Sequence, residues 1–459
     1  MAKEVCKVRG RQLKLLVLAG VVIAILFGLS GCGEKKSSRD LKNPDETFSA
    51  AESFDPTEKD CEGETEVTLA VISTSYLLDQ AIEDFNGSQT ECHVTVIKFE
   101  DALEKDHEAA RMRLQAYLTA NKDVDLILAD DLDLGGLTEK GWIEDLTPYL
   151  EKSSAVSKED YAPQILDAGK HEDIQAYLPR EYSLHFWVVP REQYGKAGWT
   201  MEEFLSYCRE GEYKAGTRWG RMEQVLANDL DYFLDEEKGE CYFDSPEFGE
   251  LLSWLRELPE QSNEQGYSDS DYREAIANGE IAFLGKRITS LRDIQFIEET
   301  FDGKANYVGY PGRDGKPVVR LEPCGSNLCM LARAANKKGA WRFLEWYATY
   351  RETQNAFLYS FPANDQLMQK LVEEELAQES ENIDVETRNT MYRGRYPTQK
   401  EINVFYELLA HARKTPDVNQ VLYPIVCQEI MAYFNGQKSL EEVTEIIQRR
   451  CTIYLQENL

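Results

Sequence analysis

From residue 65 onward, β-branched runs alternate with amphipathic helical runs, which restricts the chain to sheets covered by helices. TEVTLAVIS, beginning at Thr65, supplies a strand, and Leu78, Ala81, Ile82 and Phe85 follow at helical spacing up to Asn86-Gly87. A second strand is read in HVTVIKF (93–99), a second helix around Leu114, Tyr117 and Leu118, and a third strand in DVDLILAD (123–130). Strands separated by helices argue for a largely parallel sheet, because a parallel neighbour needs a crossover long enough to hold a helix. The expected fold class is α/β.

Residues 1–64 read differently. A basic start (Lys3, Lys7, Arg9, Arg11, Lys14) precedes an apolar run from Leu15 to Leu29, then Ser30-Gly31-Cys32. The run is short for a membrane span, which weighs against the alternative of an uncleaved anchor with a chance cysteine. The pattern resembles a bacterial lipoprotein signal. The resemblance implies that 1–31 is a signal peptide, that Cys32 becomes the lipid-bearing N-terminus, and that the body works on the outer face of the cell membrane. Residues 32–64 are polar and nearly free of apolar side chains, the composition of a flexible tether.

Removing 1–31 takes away five basic residues and Glu4, so the formal charge falls from −31 to −35. So acidic a body repels phosphate backbones and anionic lipid headgroups, which excludes nucleic acid as a partner and limits membrane contact to the anchor. With 42% hydrophobic residues, the remaining length is ample for two lobes with separate cores. Of ten cysteines, Cys6 leaves with the signal and Cys32 is the lipid site. Cys61 and Cys92 flank the first strand and are candidates for pairing; Cys324 and Cys329 sit five apart in a later strand; buried free thiols are the other reading. The five histidines show no metal-ligand spacing, and no metal or cofactor is expected.

No G-x-S-x-G elbow, H-E-x-x-H, P-loop or G-x-G-x-x-G is present. The run Asp130-Asp131-Leu132-Asp133 suggests a calcium loop, but the twelfth position counted from Asp131 is Trp142 where a glutamate is required. Several prominent residues read as packing. Trp341, Leu344 and Ala348 share one helical face. Ser439 and Glu442 form a capping box ahead of the stripe Leu440, Val443, Ile447, Cys451 and Tyr454, and Ser245-Pro246 opens another helix.

Residues 123–150, DVDLILADDLDLGGLTEKGWIEDLTPYL, resemble the extracellular solute-binding proteins that serve sugar ABC importers. Later blocks agree in order: QAYLP (175–179), WTMEEF (199–204), AIANGEIAFLG (275–285), VGYPG (308–312), KKGAWRFLEWYAT (337–349), Phe361-Pro362 and GQKSLEEVTEIIQRRCTIYL (436–455). The resemblance implies a two-lobed periplasmic-binding-protein-like fold, each lobe a mainly parallel sheet with flanking helices and a hinge between them. Lobe one is expected to hold 65–177 plus 320–361, and lobe two 178–319 plus 362–459. It also implies capture without catalysis: a monomer takes up a small solute, a sugar or oligosaccharide, and hands it to the transmembrane subunits of an ABC permease. A secreted carbohydrate-active enzyme and a ligand-presenting sensor are the alternative readings.

A sugar presents an apolar ring face and a rim of hydroxyls, so its site combines aromatic platforms with planar polar groups at the carboxyl ends of strands. The candidates are Thr74 and Ser75 after the first strand, Asp130 and Asp131 after the third, Tyr182 past the first crossing, Trp219, Gly285, Glu322 and Tyr423. Trp219 lies in the polar stretch GTRWG (216–220), unusual for a core tryptophan, whereas Trp187 is read as core. Asp130 and Asp131 suit either hydroxyl binding or capping of the next helix. Tyr423 stands thirteen residues before Gly436, where maltose-binding relatives hold a stacking tryptophan. Two departures stand against maltose itself: Ala129 and Leu132 occupy the positions of that group's cleft tryptophan and hydroxyl-binding aspartate, and the first loop, STSY, lacks its Asp-Lys pair.

Overall fold

The structure, a computed structural model, describes residues 65–458 except 101–105, 122, 172, 211–217, 236–237, 261–268, 280, 351–359, 379–380 and 387–390. The signal, Cys32, the tether and Cys61 lie outside the described residues. Ten strands matter here: β1 (Thr65–Val71), β2 (Cys92–Lys98), β3 (Leu126–Leu128), β4 (Glu181–Pro190), β5 (Leu284–Ile288), β6 (Ala305–Asn306), β7 (Val319–Cys324), β8 (Leu328–Met330), β9 (Phe361–Pro362) and β10 (Ala412–Lys414).

The first sheet runs β8-β3-β1-β2, with β1 parallel to β2 and β3 and with β8 antiparallel to β3. The helix Tyr76–Ser88 buries Leu78, Ala81, Ile82 and Phe85, the stripe read from the sequence. The third strand is shorter than expected: residues 129–131 turn into a 3-10 helix, and Asp133 caps the helix Leu134–Glu139 by accepting the Gly136 N–H at 3.2 Å. Asp125, almost fully buried, accepts the Thr68 and Asn336 N–H groups, each at 2.9 Å, and so ties β1 to the start of the helix Lys337–Thr349. That helix lies close on the sheet, for a Cβ on Gly339 would stand 2.8 Å from Val67 Cγ2. Trp341 is buried in its inner face.

The second sheet is built on β4, which pairs antiparallel with β5, β6, β7 and β9; β7 pairs parallel with β10. It is therefore more antiparallel than the strand-helix alternation suggests, because its strands come from four separated stretches of chain. Trp187 is fully buried on β4, with the rings of Phe204, Phe283 and Tyr310 at centroid distances of 4.8, 4.6 and 4.9 Å. The last helix closes this core with Val443, Ile447 and Cys451, behind the expected capping box: Ser439 N–H donates to Glu442 Oε2 at 2.7 Å and Glu442 N–H to Ser439 Oγ at 3.2 Å.

The chain enters the second sheet at β4 and returns to the first through 325–327, between β7 and β8. With β7 in the second sheet, this return comes later than the expected 320. Cys324 and Cys329, expected in one strand, therefore lie in two strands of different sheets, separated by a turn in which Gly325 has φ +80°. Cys208, Cys241, Cys324, Cys329, Cys427 and Cys451 are free thiols. Among the described residues no helix is long and apolar enough to cross a membrane.

Candidate functional site

Where the chain passes between the sheets, polar side chains from both converge. On the first-sheet side, Ser75 caps the helix Tyr76–Ser88 by accepting the Leu78 N–H at 3.1 Å, and its hydroxyl lies 3.2 Å from that of Ser326 in the return crossing. Thr74 donates to Asp79 Oδ1 at 2.7 Å. Because Asp133 caps the following helix, Asp130 and Asp131 are released from that task. Asp131 Oδ2 accepts the Ile72 N–H at 2.6 Å. Asp130 is exposed at the end of β3, yet the surrounding protein still desolvates its carboxyl and raises its pKa; the charge of Glu322 adds to the rise and Lys414 opposes it.

On the second-sheet side, strand register assembles a network the sequence does not display. Ser183 pairs with Glu322 across β4 and β7, and His185 pairs with Arg287 across β4 and β5, so all four share a face. Glu322 Oε2 accepts from Ser183 at 3.1 Å, lies 3.0 Å from His185 Nε2 and pairs with Arg287 Nη2 at 3.0 Å. Arg287 Nε donates to Ser183 Oγ at 3.0 Å. The hydrogen bond from His185, against the effect of burial and with further help from Arg287 and Ser183, brings the Glu322 carboxyl down to about 2. The same His185 nitrogen meets both Ser183 and Glu322, so there is no two-nitrogen relay of the kind a serine triad requires.

A third cluster joins the two sides. His171, in the hairpin at 170–175, places Nδ1 3.0 Å from Asp417 and Nε2 3.3 Å from Lys414 Nζ, while Lys414 pairs with Asp417 at 3.1 Å. Burial works against the Asp417 charge, but the His171 hydrogen bond and Lys414 prevail and lower its pKa.

The other candidates are spread more widely. Tyr182 is fully buried against Phe361, with ring centroids 5.6 Å apart. Gly285 pairs with Trp187 on β5, two residues before Arg287 on the same face. Trp219 falls in the first turn of the helix Arg218–Asp229 instead of the loop its glycine-bounded setting suggests; its side chain lies outside the description. Tyr423 is half-buried on the helix Val418–Phe434; burial first, then Cys427 and Glu223, push its pKa up, which puts it beside the helix that carries Trp219. Sequence reasoning does not single out Ser183, His185 and Arg287 of the network or Lys414 of the third cluster. Their one sequence signal is Ser183 and His185 two apart in an otherwise apolar strand.

A profile of the bacterial extracellular solute-binding proteins matches residues 73–354. No curated protein matches the chain. Among solved structures, the sugar-binding protein MalE of Xanthomonas citri superimposes with a TM-score of 0.55 at 16% identity, over 86% of this chain and 98% of that one. An extracellular solute-binding protein of family 1 from Alicyclobacillus acidocaldarius gives 0.53 at 10% identity, over 86% and 100%. The cyclic alpha-maltosyl-1,6-maltose binding protein of Arthrobacter globiformis gives 0.50 at 16% identity, over 86% and 100%. At such identities the likeness speaks for the fold, the two-lobed α/β arrangement of periplasmic binding proteins. The profile covers more than half of the sequence, and the chain belongs to the bacterial extracellular solute-binding proteins.

Proposed function

We propose that this chain is a lipid-anchored, monomeric capture protein that binds a sugar or oligosaccharide between its two lobes and presents it to an ABC permease. Lobe one is built on the first sheet and lobe two on the second, with the crossings as hinge. The observation that carries the reading is the convergence of Ser75, Asp130 and Ser326 with the Ser183–His185–Arg287–Glu322 network where the chain passes between lobes. Planar charged groups and hydroxyls suit the hydroxyl rim of a sugar, and Tyr423 with Trp219 supplies the aromatic platform. The Xanthomonas sugar-binding protein and the Arthrobacter cyclic alpha-maltosyl-1,6-maltose binding protein serve solutes of the same class. A solute that contacts both lobes favours the closed state by the difference in its affinity for closed and open forms, and that difference drives closure.

The test is a thermal-shift screen of the purified chain against mono- and oligosaccharides, with amino acids and polyamines as controls, followed by calorimetry on the hits. A saturable shift with a sugar, and recovery of that sugar unchanged after prolonged incubation, is the expected result. A shift with amino acids or polyamines alone removes the sugar assignment, and turnover of the bound sugar removes the capture mechanism.

A further inference from the structure

In the core of the second sheet a buried donor is left without an acceptor. The Trp187 indole Nε1–H is sealed from solvent and, among the described residues, bonds to nothing. Its neighbour Trp199, equally buried and with its ring centroid 6.2 Å away, donates its own Nε1–H to the Gly309 carbonyl at 3.0 Å. An indole N–H that has given up water and gained no partner weakens a fold, so its position calls for a reason. The reason stands beside it. Trp187 pairs across β4 and β5 with Gly285, an exposed residue, and a Cβ on Gly285 would lie 3.6 Å from Trp187 Cδ1 and 3.7 Å from its Nε1. The missing side chain leaves the polar edge of the indole bordering an open position, on the face that carries His185 and Arg287 two residues away on the same strands. The nearest cover is Gln224, itself exposed, whose Cδ comes to 3.9 Å from that Cβ position and whose Oε1 accepts from Arg221 Nη1 at 2.8 Å.

Packing gives no reason for a glycine at this position. All three neighbours of an added methyl lie at ordinary contact distance, and the Gly285 backbone is not left-handed. Glycine inside a strand is also less stable than alanine there. We propose that Gly285 is a window in the cleft, through which an acceptor oxygen of the captured solute takes the Trp187 indole hydrogen, with Gln224 as the shutter that the solute displaces. This rests on the capture reading and adds a chemical requirement to it. The solute must present an uncharged acceptor oxygen, such as a ring, glycosidic or acetyl carbonyl oxygen, beside the hydroxyls that meet His185, Arg287 and Glu322. Because an indole N–H only donates, an ammonium group in that place leaves two donors facing each other and is refused.

The experiment titrates the full chain with trimers of glucose, xylose, mannose, galactose and N-acetylglucosamine, read by calorimetry and by the indole signals of a nitrogen-correlated proton NMR spectrum. The chain has seven tryptophans, and the signal lost in Trp187→Phe identifies that of Trp187. With the trimer that binds most tightly, the Trp187 indole proton is expected to move downfield at saturation. Gly285→Ala plugs the window. It is expected to bind that trimer about tenfold or more weakly, to lose the downfield shift, and to keep or raise the melting temperature. Gly285→Ser plugs it with a hydroxyl that accepts the hydrogen itself, so the downfield position is expected without any sugar, which keeps the test open should the alanine variant misfold. Gln224→Ala is expected to retain or improve affinity. Tight binding retained in both plugged variants, or an indole signal that the bound trimer leaves in place, overturns the inference and leaves capture standing. An absence of binding by every trimer overturns the inference, and silence in the wider screen of sugars, amino acids and polyamines overturns capture with it.

Discussion

Arg320 Nη2 lies 3.0 Å from Asp229 Oδ1, and both side chains are sealed from solvent. On β7, Arg320 pairs with His185 of β4 and alternates onto the same face as Glu322. Removing the guanidinium leaves Asp229 buried without its partner, whereas Asp231 keeps Arg413 and Asn419, each at 3.4 Å. Arg320→Met is therefore expected to cost about 3–5 kcal/mol in urea unfolding. The double variant Asp229→Asn with Arg320→Met should recover much of that loss, and a double-mutant cycle measures the coupling directly.

Local patterns were legible in the sequence wherever a few consecutive residues decide them. The stripe Leu78–Phe85, the Ser439–Glu442 box and Trp341 as core follow from helical spacing of a turn or two, and Trp187 as core from alternation along an apolar strand. The polar network was not legible, because Ser183, Arg287 and Glu322 meet only through the register of three strands far apart in the chain. Asp130 was visible as a candidate, but its release from capping depends on Asp133 taking that role, a choice among three neighbouring aspartates that only backbone geometry makes. Tyr182 follows the crossing as a ligand-facing tyrosine would, yet strand alternation turns it inward onto Phe361.

The carboxyl of Glu322 is held at about 2 against an ordinary 4.5. A depressed carboxyl stabilises the fold at pH values above its ordinary value, and that contribution fades as pH falls toward the folded value. The melting-temperature gap between the unmodified chain and Glu322→Gln is thus expected to hold steady from pH 7 to about 5 and to close toward about pH 2. A gap that persists in strong acid would mean that the carboxyl charge is not what His185 and Arg287 are engaging.

Asp130 carries the opposite sign. Its carboxyl is raised above 3.8 by desolvation and by Glu322, with Lys414 opposing and Asp131, Tyr177 and Cys329 nearby, so its charge costs stability once the pH exceeds that value. Asp130→Asn should melt slightly higher than the unmodified chain at pH 7, and the advantage should vanish as the pH drops below 4. Differential scanning calorimetry at both pH values decides it.

Tyr423 is half-buried against the second core, beside the helix that bears Trp219. If the two rings carry a pyranose, replacing either by alanine weakens sugar binding by roughly tenfold to a hundredfold with little change in melting temperature. A marked fall in melting temperature with affinity intact in the folded fraction would assign them to packing.

Cys32→Ala is expected to release the protein into the medium or leave it unprocessed, since the thiol is the proposed lipid attachment point. Mass spectrometry of the mature N-terminus and detergent partitioning check this. An unchanged mass and partitioning would refute the anchor.

The interleaving of the two sheets also bears on how the chain is made. β3, at 126–128, stays without one of its neighbours until 328–330 has been synthesised, and β4 waits for 412–414 to complete the sheet built on it. Pairings this distant in sequence form late and slowly, since the loop between them must close before any contact rewards it. Neither sheet is complete until these late segments have been made, which leaves a growing chain less resistant to being drawn through a narrow channel than the finished fold would be.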